Sequence, residues 1–208
     1  MLKILISAIM LVSSSVALAQ LPARLVVLGD SISAGYGVEL NRDWVVLLQK
    51  KIDAGGLNIH VINASISGDT SSGGLARVDA VLKQTRPQWL VLELGANDGL
   101  RGLPPQQMKL NLKAIIQRSQ QAGARVILLG MKIPPNYSKR YTEAFHNVYQ
   151  QLATELKLTW VAFLLEKVAL KPELMQKDGL HPNTLAQPLI AETVWTILKP
   201  LISINTHH

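Results

Sequence analysis

The stretch Leu25-Val-Val-Leu-Gly-Asp-Ser-Ile-Ser33 decides the fold and places the chemistry. Its first four residues are apolar and predict a buried strand, which Gly29, Asp30 and Ser31 follow at the carboxyl end. In open α/β sheets the ligand crevice lies outside the carboxyl ends of the strands. Ser31 is therefore a candidate nucleophile. A serine hydroxyl reacts poorly until a base takes its proton, so the rest of the chain must supply that base.

Further apolar strands alternate with amphipathic helices along the chain. The strands are predicted over residues 59–62, 89–94, 126–129 and 159–163. The first helix is predicted over residues 42–52, with Asn41 as its cap, and Pro188 is expected in the first turn of the last helix. This alternation is typical of parallel βαβ units, whose sheet is covered by helices on both faces. The fold class is therefore α/β.

The amino terminus has the pattern of an export signal. Lys3 precedes an almost wholly apolar run over residues 4–12, and Ala17-Leu-Ala19 has the small-x-small form of a cleavage site. A membrane anchor or a core helix is the alternative, but the run is shorter than the roughly 20 residues a span needs. We expect residues 1–19 to be removed, 20–202 to form a single domain and 203–208 to be a tail. The mature protein is then soluble and either periplasmic or secreted.

Composition excludes several classes of protein. Of the 208 residues 48% are hydrophobic, which is enough for a sizeable core, and the absence of cysteine excludes disulfides and thiolate metal sites. The formal net charge is +7, but Lys and Arg are scattered, so no nucleic-acid partner is expected. The basic surface favours approach to anionic lipid or acidic substrates.

The candidate base is His181. It follows Asp178 by three residues, close enough for that carboxylate to reach the imidazole and leave its other nitrogen facing Ser31. The alternative is that His181, which precedes a proline, is an ordinary loop residue. An acidic residue nearby and a serine at a strand end favour the triad.

Three donors are candidates for an oxyanion hole. Gly68 offers a backbone N–H that no Cβ obstructs, Asn97 offers its side-chain amide, and Ser31 offers its own N–H. Taken alone, Gly68 and Asn97 are more typical of turns. Three donors aimed at one point would stabilise the negative charge of a tetrahedral intermediate.

Four blocks in this order resemble the SGNH/GDSL hydrolases, and their bacterial periplasmic branch of thioesterase, protease and lysophospholipase type in particular. The blocks are Gly29-Asp-Ser31, Gly68, Gly95-x-Asn97-Asp98 and Asp178-x-x-His181. The resemblance implies a flavodoxin-like three-layer α/β/α sandwich whose five-stranded parallel sheet has the order 2-1-3-4-5. It also implies Ser31 as nucleophile, His181 as base, Asp178 as its orienting group, and Ser31, Gly68 and Asn97 as oxyanion donors. One departure from the pattern of this branch is Ala96, where the resemblance leads us to expect glycine. In this branch the loop contacts the acyl chain, so the departure bears on substrate preference and not on the reaction.

The substrate pocket is predicted from loops at the carboxyl ends of strands. Its candidate residues are Asp30, Leu100, Leu103, Ile133 and Pro134. For Asp30 the alternative is a cap on the turn after the strand, and for the other four it is plain loop packing. Glu93 interrupts an apolar strand and needs a buried partner, which the sequence does not identify.

No motif indicates a cofactor or a metal. The G-x-S-x-G elbow, the P-loop and the G-x-G-x-x-G fingerprint are absent, and no histidine cluster is present. We expect a monomeric serine esterase that acts on small acyl esters and thioesters such as lysophospholipids and aryl esters. The alternatives are a carbohydrate deacetylase of the same family and a non-catalytic lipid-binding protein.

Overall fold

A computed structural model describes residues 21–134 and 136–203 of the chain. The export signal predicted for residues 1–19 lies outside the described residues. Of the predicted tail, Ser203 is the last residue of a helix, and positions 204–208 are outside the described part. Within the described residues, no helix combines the length and the apolarity that crossing a membrane requires.

A five-stranded parallel sheet forms the centre of the molecule, in the order β2-β1-β3-β4-β5. This confirms the predicted fold class and strand order. The strands are β1 (Ala23–Gly29), β2 (Ile59–Asn63), β3 (Trp89–Glu93), β4 (Arg125–Leu129) and β5 (Thr159–Val161). The four apolar residues that open the deciding stretch are fully buried in β1, between β2 and β3. A central parallel strand has helices over both faces, which is why all four positions are apolar.

Within residues 21–134 and 136–203 the structure contains six α-helices. They are α1 (Trp44–Ala54), α2 (Ser71–Thr85), α3 (Ala96–Leu100), α4 (Pro105–Gln121), α5 (Lys139–Glu155) and α6 (Gln187–Ser203). Helix α1 packs against α6, while α4 packs against α2 and α5. Short 3₁₀ turns at Pro172–Leu174 and Thr184–Ala186 lie between β5 and α6. Pro188 is the second residue of α6, in the first turn as predicted.

The predicted cap of α1 was wrong. Asn41 is in the left-handed region with φ 61°, within the turn before the helix. The cap is Asp43, whose Oδ1 accepts hydrogen bonds from the backbone N–H groups of Val45 and Val46 at 3.1 and 3.0 Å. The first N–H groups of a helix have no partner within the helix and need an acceptor at its start. Asp43 supplies that acceptor, so the helix begins at Trp44.

Candidate active site

The structure brings Ser31, His181 and Asp178 into one hydrogen-bonded chain. Ser31 leaves the carboxyl end of β1, and its Oγ lies 2.8 Å from Nε2 of His181. On the other side of the ring, Nδ1 of His181 lies 2.7 Å from Oδ2 of Asp178. An imidazole placed in this way can accept the hydroxyl proton at Nε2 while Nδ1–H donates to the carboxylate.

A tight turn presents the carboxylate of Asp178 to the histidine ring. Its Oδ1 accepts hydrogen bonds from the backbone N–H groups of Leu180 and His181 at 2.9 and 3.0 Å. Gly179 allows this turn by adopting a φ of +68°. Burial opposes ionisation of Asp178, but the hydrogen bonds from His181 and Leu180 outweigh it and lower its pKa to about 2. The carboxylate therefore stays charged at any pH at which the protein would operate.

The three candidate oxyanion donors follow β1, β2 and β3. Ser31 and Gly68 lie in the turns after β1 and β2, and Asn97 is the second residue of α3. Neither the N–H of Ser31 nor that of Gly68 donates to a protein acceptor among residues 21–134 and 136–203. Gly68 has a φ of +80°, which favours glycine at that position. Asn97 differs, because its Nδ2 already donates to Oδ2 of Asp30 at 3.1 Å and to the carbonyl of Asp69 at 2.9 Å.

Polar contacts hold the loop that carries Gly68 and the helix α3 that carries Asn97. Asp98 accepts hydrogen bonds from the N–H and the hydroxyl of Ser71 at 2.8 and 2.5 Å, which ties α3 to the start of α2. Nη2 of Arg101 donates to the carbonyl of Gly68 at 3.0 Å. An ion pair of 2.8 Å between Arg77 and Asp69 supports the same loop from beneath. Asp69 and Asp98 thus shape the segments that carry the candidate donors.

Two buried carboxyl groups lie directly behind the nucleophile. Oε2 of Glu93 accepts hydrogen bonds from the hydroxyl of Ser33 at 2.7 Å and from the N–H of Asp30 at 3.2 Å, which supplies the partners the sequence left unnamed. Burial raises the pKa of Asp30 to about 6, and burial together with the charge of Asp30 raises the pKa of Glu93 well above its ordinary value. Gly29 permits this approach, since a Cβ there would lie 2.7 Å from Oε2 of Glu93.

A cavity of about 90 Å³ opens beside Ser31 and His181. Asp30, Leu100, Ile133 and Pro134 line this cavity. Leu103 is not among its lining residues. Its carbonyl accepts a hydrogen bond from the hydroxyl of Tyr141 at 2.8 Å, and its side chain lies in a turn beyond α3 that leaves it 40% exposed.

An apolar groove of about 350 Å³ continues from this cavity. The two share Lys132, Ile133, Pro134, Leu165 and Leu180. The groove extends to Phe163, Glu166, Ala169, Leu170, Met175 and Gly179, and its two charged residues, Lys132 and Glu166, form an ion pair of 3.6 Å. The sequence analysis missed the wall residues beyond position 134. They belong to the long connection after β5, where no periodic pattern marks which side chains face the site.

Two further observations delimit the candidate site. A larger groove of about 660 Å³ runs along α1 and β2, but no triad residue lines it, so it is not part of this site. Throughout the part of the chain that the structure describes, no three His, Asp or Glu side chains converge as a metal site would require.

Comparisons with known proteins agree with this geometry. Residues 27–187 match the model of the GDSL-like lipase/acylhydrolase family. The chain is 50% identical over 178 residues to esterase TesA of Pseudomonas aeruginosa, covering 86% of this chain and 89% of the relative. It is 47% identical over 179 residues to thioesterase 1/protease 1/lysophospholipase L1 of Escherichia coli K12, covering 86% of this chain and 85% of the relative. Among solved structures, the psychrotrophic esterase EstA from Pseudoalteromonas sp., inhibited by monoethylphosphonate, has a TM-score of 0.83 at 44% identity, covering 86% of this chain and 98% of the other.

Proposed function

The chain belongs to the GDSL-like lipase/acylhydrolase family, and from this premise we propose that it is a serine esterase that hydrolyses acyl esters and thioesters with Ser31 as nucleophile. The observation that carries the proposal is the unbroken hydrogen-bonded chain from Ser31 through His181 to Asp178. The relatives named esterase, thioesterase and lysophospholipase support the same reaction class.

The geometry supports an acyl-enzyme mechanism. Oγ of Ser31 attacks the substrate carbonyl while Nε2 of His181 takes its proton, and Asp178 stabilises the imidazolium that forms. The oxyanion accepts hydrogen bonds from the N–H groups of Ser31 and Gly68 and from Nδ2 of Asn97. His181 then protonates the leaving alcohol or thiol, and the acyl group stays on Ser31. Water, deprotonated by His181, repeats the attack and releases the acid.

Asn97 must share a hydrogen bond to take part. Both hydrogens of its Nδ2 have protein acceptors, Oδ2 of Asp30 and the carbonyl of Asp69. A developing oxyanion carries more charge than the Asp69 carbonyl and attracts an N–H more strongly as the tetrahedral intermediate forms. The interaction with Asn97 then grows toward the transition state, which is the condition for it to accelerate the reaction.

The apolar groove indicates the acyl part of the substrate. Leu165, Leu180 and Ile133 continue the wall from the catalytic cavity into the groove, where a hydrocarbon chain would be removed from water. Lysophospholipids and other acyl esters fit this site. An acetylated sugar would leave the groove unfilled, so the groove disfavours the deacetylase alternative.

Location and assembly are part of the proposal. The pattern of residues 1–19 supports export to the periplasm, with residues 20–202 forming a single mature domain that acts as a monomer. Acyl-CoA is cytosolic, so exported protein would meet lipid esters instead. Without Lys3, which leaves with residues 1–19, the formal charge of +7 becomes +6, and this positive charge supports transient contact with anionic lipid.

The test is hydrolysis of p-nitrophenyl esters from acetate to palmitate. Ser31→Ala should abolish turnover without changing the melting temperature, whereas the exposed Ser72→Ala serves as a matched control and should keep full activity. A maximum at medium or long chains supports the acyl-ester hydrolase. A maximum at acetate would favour the deacetylase, and no activity on any chain would favour a lipid-binding protein. Turnover retained by Ser31→Ala would overturn the assignment of the nucleophile.

A further inference from the structure

Gln176 joins the loop that carries Ser31 to the turn that carries His181. Its side-chain Nε2 donates to the carbonyl of Tyr36 at 2.7 Å and to the carbonyl of Pro182 at 3.0 Å. Its backbone N–H donates to the carbonyl of His181 at 2.7 Å. One residue therefore binds both the chain after β1 and the backbone of the candidate base and of the proline that follows it.

These contacts close a circuit around the catalytic pair. The N–H of Tyr36 donates to the carbonyl of Ser31 at 3.0 Å, and the Tyr36 carbonyl is the one that Gln176 binds. From Gln176 the circuit passes to His181, whose Nε2 returns to Oγ of Ser31 at 2.8 Å. The ring of Tyr36 also packs against the imidazole, with 4.8 Å between centroids. Every member of the circuit is thus held by two others.

Gly37 is shaped to receive the Gln176 side chain. A Cβ at Gly37 would lie 2.2 Å from Oε1 of Gln176, so the end of the Gln176 side chain would have to move out of its present position. Gly37 also has a φ of +68°, a conformation that favours glycine. The half-buried amide of Gln176 therefore lies close against Gly37, with one hydrogen bond to the chain after β1 and another to Pro182.

We propose that Gln176 is a positioning residue that sets the distance between Ser31 and His181. The proposal rests on the proposed function of that pair. Gln176 lines neither the catalytic cavity nor the apolar groove, so it acts through the backbones it binds. Proton transfer between serine and histidine depends steeply on their separation, and a misplacement of about 1 Å can cost on the order of a hundredfold in rate.

The first variant is Gln176→Met, which keeps the length of the side chain and removes its donors. We expect kcat to fall about tenfold to a hundredfold with little change in KM, because the substrate groove is untouched. A merely structural role would lower the melting temperature and leave kcat unchanged well below that temperature. Unchanged kcat in folded Gln176→Met would overturn the proposal.

A second variant reaches the same contact from the other side. Gly37→Ala displaces Gln176, and Gly56→Ala is its matched control because Gly56 has the same φ of +68° with nothing within 4 Å of its Cβ position. Both substitutions place a side chain at the same positive φ, but only Gly37→Ala displaces Gln176, so only Gly37→Ala should lower kcat. Equal kcat in the two alanine variants would contradict the proposal even if Gln176→Met does not fold.

A single-turnover reaction separates positioning from later steps. With a p-nitrophenyl alkylphosphonate, Oγ of Ser31 forms a bond to phosphorus, His181 takes the hydroxyl proton, and p-nitrophenolate leaves. We expect the rate of this burst to fall in Gln176→Met by the same factor as kcat. If wild type releases no p-nitrophenolate, the proposed function itself fails. A normal burst in Gln176→Met beside an active wild type overturns only the role of Gln176.

Discussion

The carboxylate of Asp30 holds the side-chain amide of Asn97, with 3.1 Å between Oδ2 and Nδ2. The residue beside the candidate nucleophile thereby orients a candidate oxyanion donor that is 67 positions away in the chain. Oδ1 of Asp30 accepts a hydrogen bond from the N–H of Ile32 at 3.0 Å, so the same carboxylate also shapes the turn after Ser31. Nucleophile and donor are therefore fixed relative to one another before any substrate arrives.

Removing the amide of Asn97 tests its role as a donor. Asn97→Ala should lower kcat by on the order of a hundredfold or more, because one hydrogen bond to the oxyanion is lost while the triad stays in place. Ester hydrolysis at saturating substrate measures the effect, with the exposed Asn147→Ala on α5 as a matched control. An unchanged rate in Asn97→Ala would mean that this residue only shapes its loop.

Asp178→Asn should impair the base without changing the fold. The amide cannot stabilise the imidazolium and favours the wrong tautomer, so kcat should fall on the order of 10²–10⁴-fold. Because hydrogen bonds lower the pKa of Asp178 to about 2, below its unfolded value, it contributes stability at neutral pH that is lost as the pH falls through that range. Because asparagine does not titrate, the free energy of unfolding of Asp178→Asn should therefore lack this decrease in acid. If the loss of activity at low pH seen in the wild type were absent in Asp178→Asn, that loss would come from protonation of Asp178. This outcome would contradict our inference that Asp178 stays charged.

Glu93→Gln should stabilise the protein at neutral pH. Burial raises the pKa of Glu93 in the folded state, so the folded protein binds a proton there more tightly than the unfolded chain, and stability falls as the pH rises above the unfolded value. A neutral amide removes that cost, so the free energy of unfolding at neutral pH should be higher in Glu93→Gln than in the wild type.

The comparison across pH distinguishes titration from packing at Glu93. The gain in Glu93→Gln should shrink toward about pH 4, where the carboxyl is protonated in both states. Urea unfolding at neutral and acidic pH measures it. A loss of stability at every pH would instead mean that the amide does not replace the bonds that Glu93 makes to Asp30 and Ser33.

Filling the apolar groove should shorten the preferred acyl chain. Ala169 lies on its wall, half-buried, so Ala169→Trp should raise KM for long-chain esters by roughly tenfold and leave acetate unaffected. Ala122→Trp, at the exposed end of α4, adds the same bulk away from the groove and serves as control. Equal loss on acetate and palmitate would show that the groove does not hold the acyl chain.

Local patterns predicted most of the sheet because its strands are buried on both faces. They failed where the backbone is shaped by contacts distant in sequence. Asn97 between two glycines is more typical of a turn than of a helix, yet residues 96–100 form α3. The carboxylate of Asp98 holds that turn to Ser71, a contact across 27 residues that no local pattern reveals.

At the site, residue types carried more information than their surroundings. Few functional sites other than a catalytic triad use a serine, an aspartate and a histidine together. The identities and order of these residues therefore indicated a triad. The wall residues Leu165 and Leu180 gave no such signal, because leucine in a connection is equally compatible with core packing. The bonds from Asp30 and Ser33 to Glu93 depend on strand register, which pairs Gly29 with Glu93.

Ser31 and His181 stand 150 positions apart, one after the first strand and the other after the last. Synthesis runs from the amino terminus, so the sheet can begin to form while the nucleophile still has no base. Contacts between such distant segments form slowly, because the intervening chain must be ordered first. Chemical reactivity is therefore acquired late, when the carboxyl-terminal segment docks and Gln187 binds the N–H of Trp44 at 3.0 Å. In a refolding experiment, the rate at which activity returns would report the final docking step. Activity should return later than helical structure.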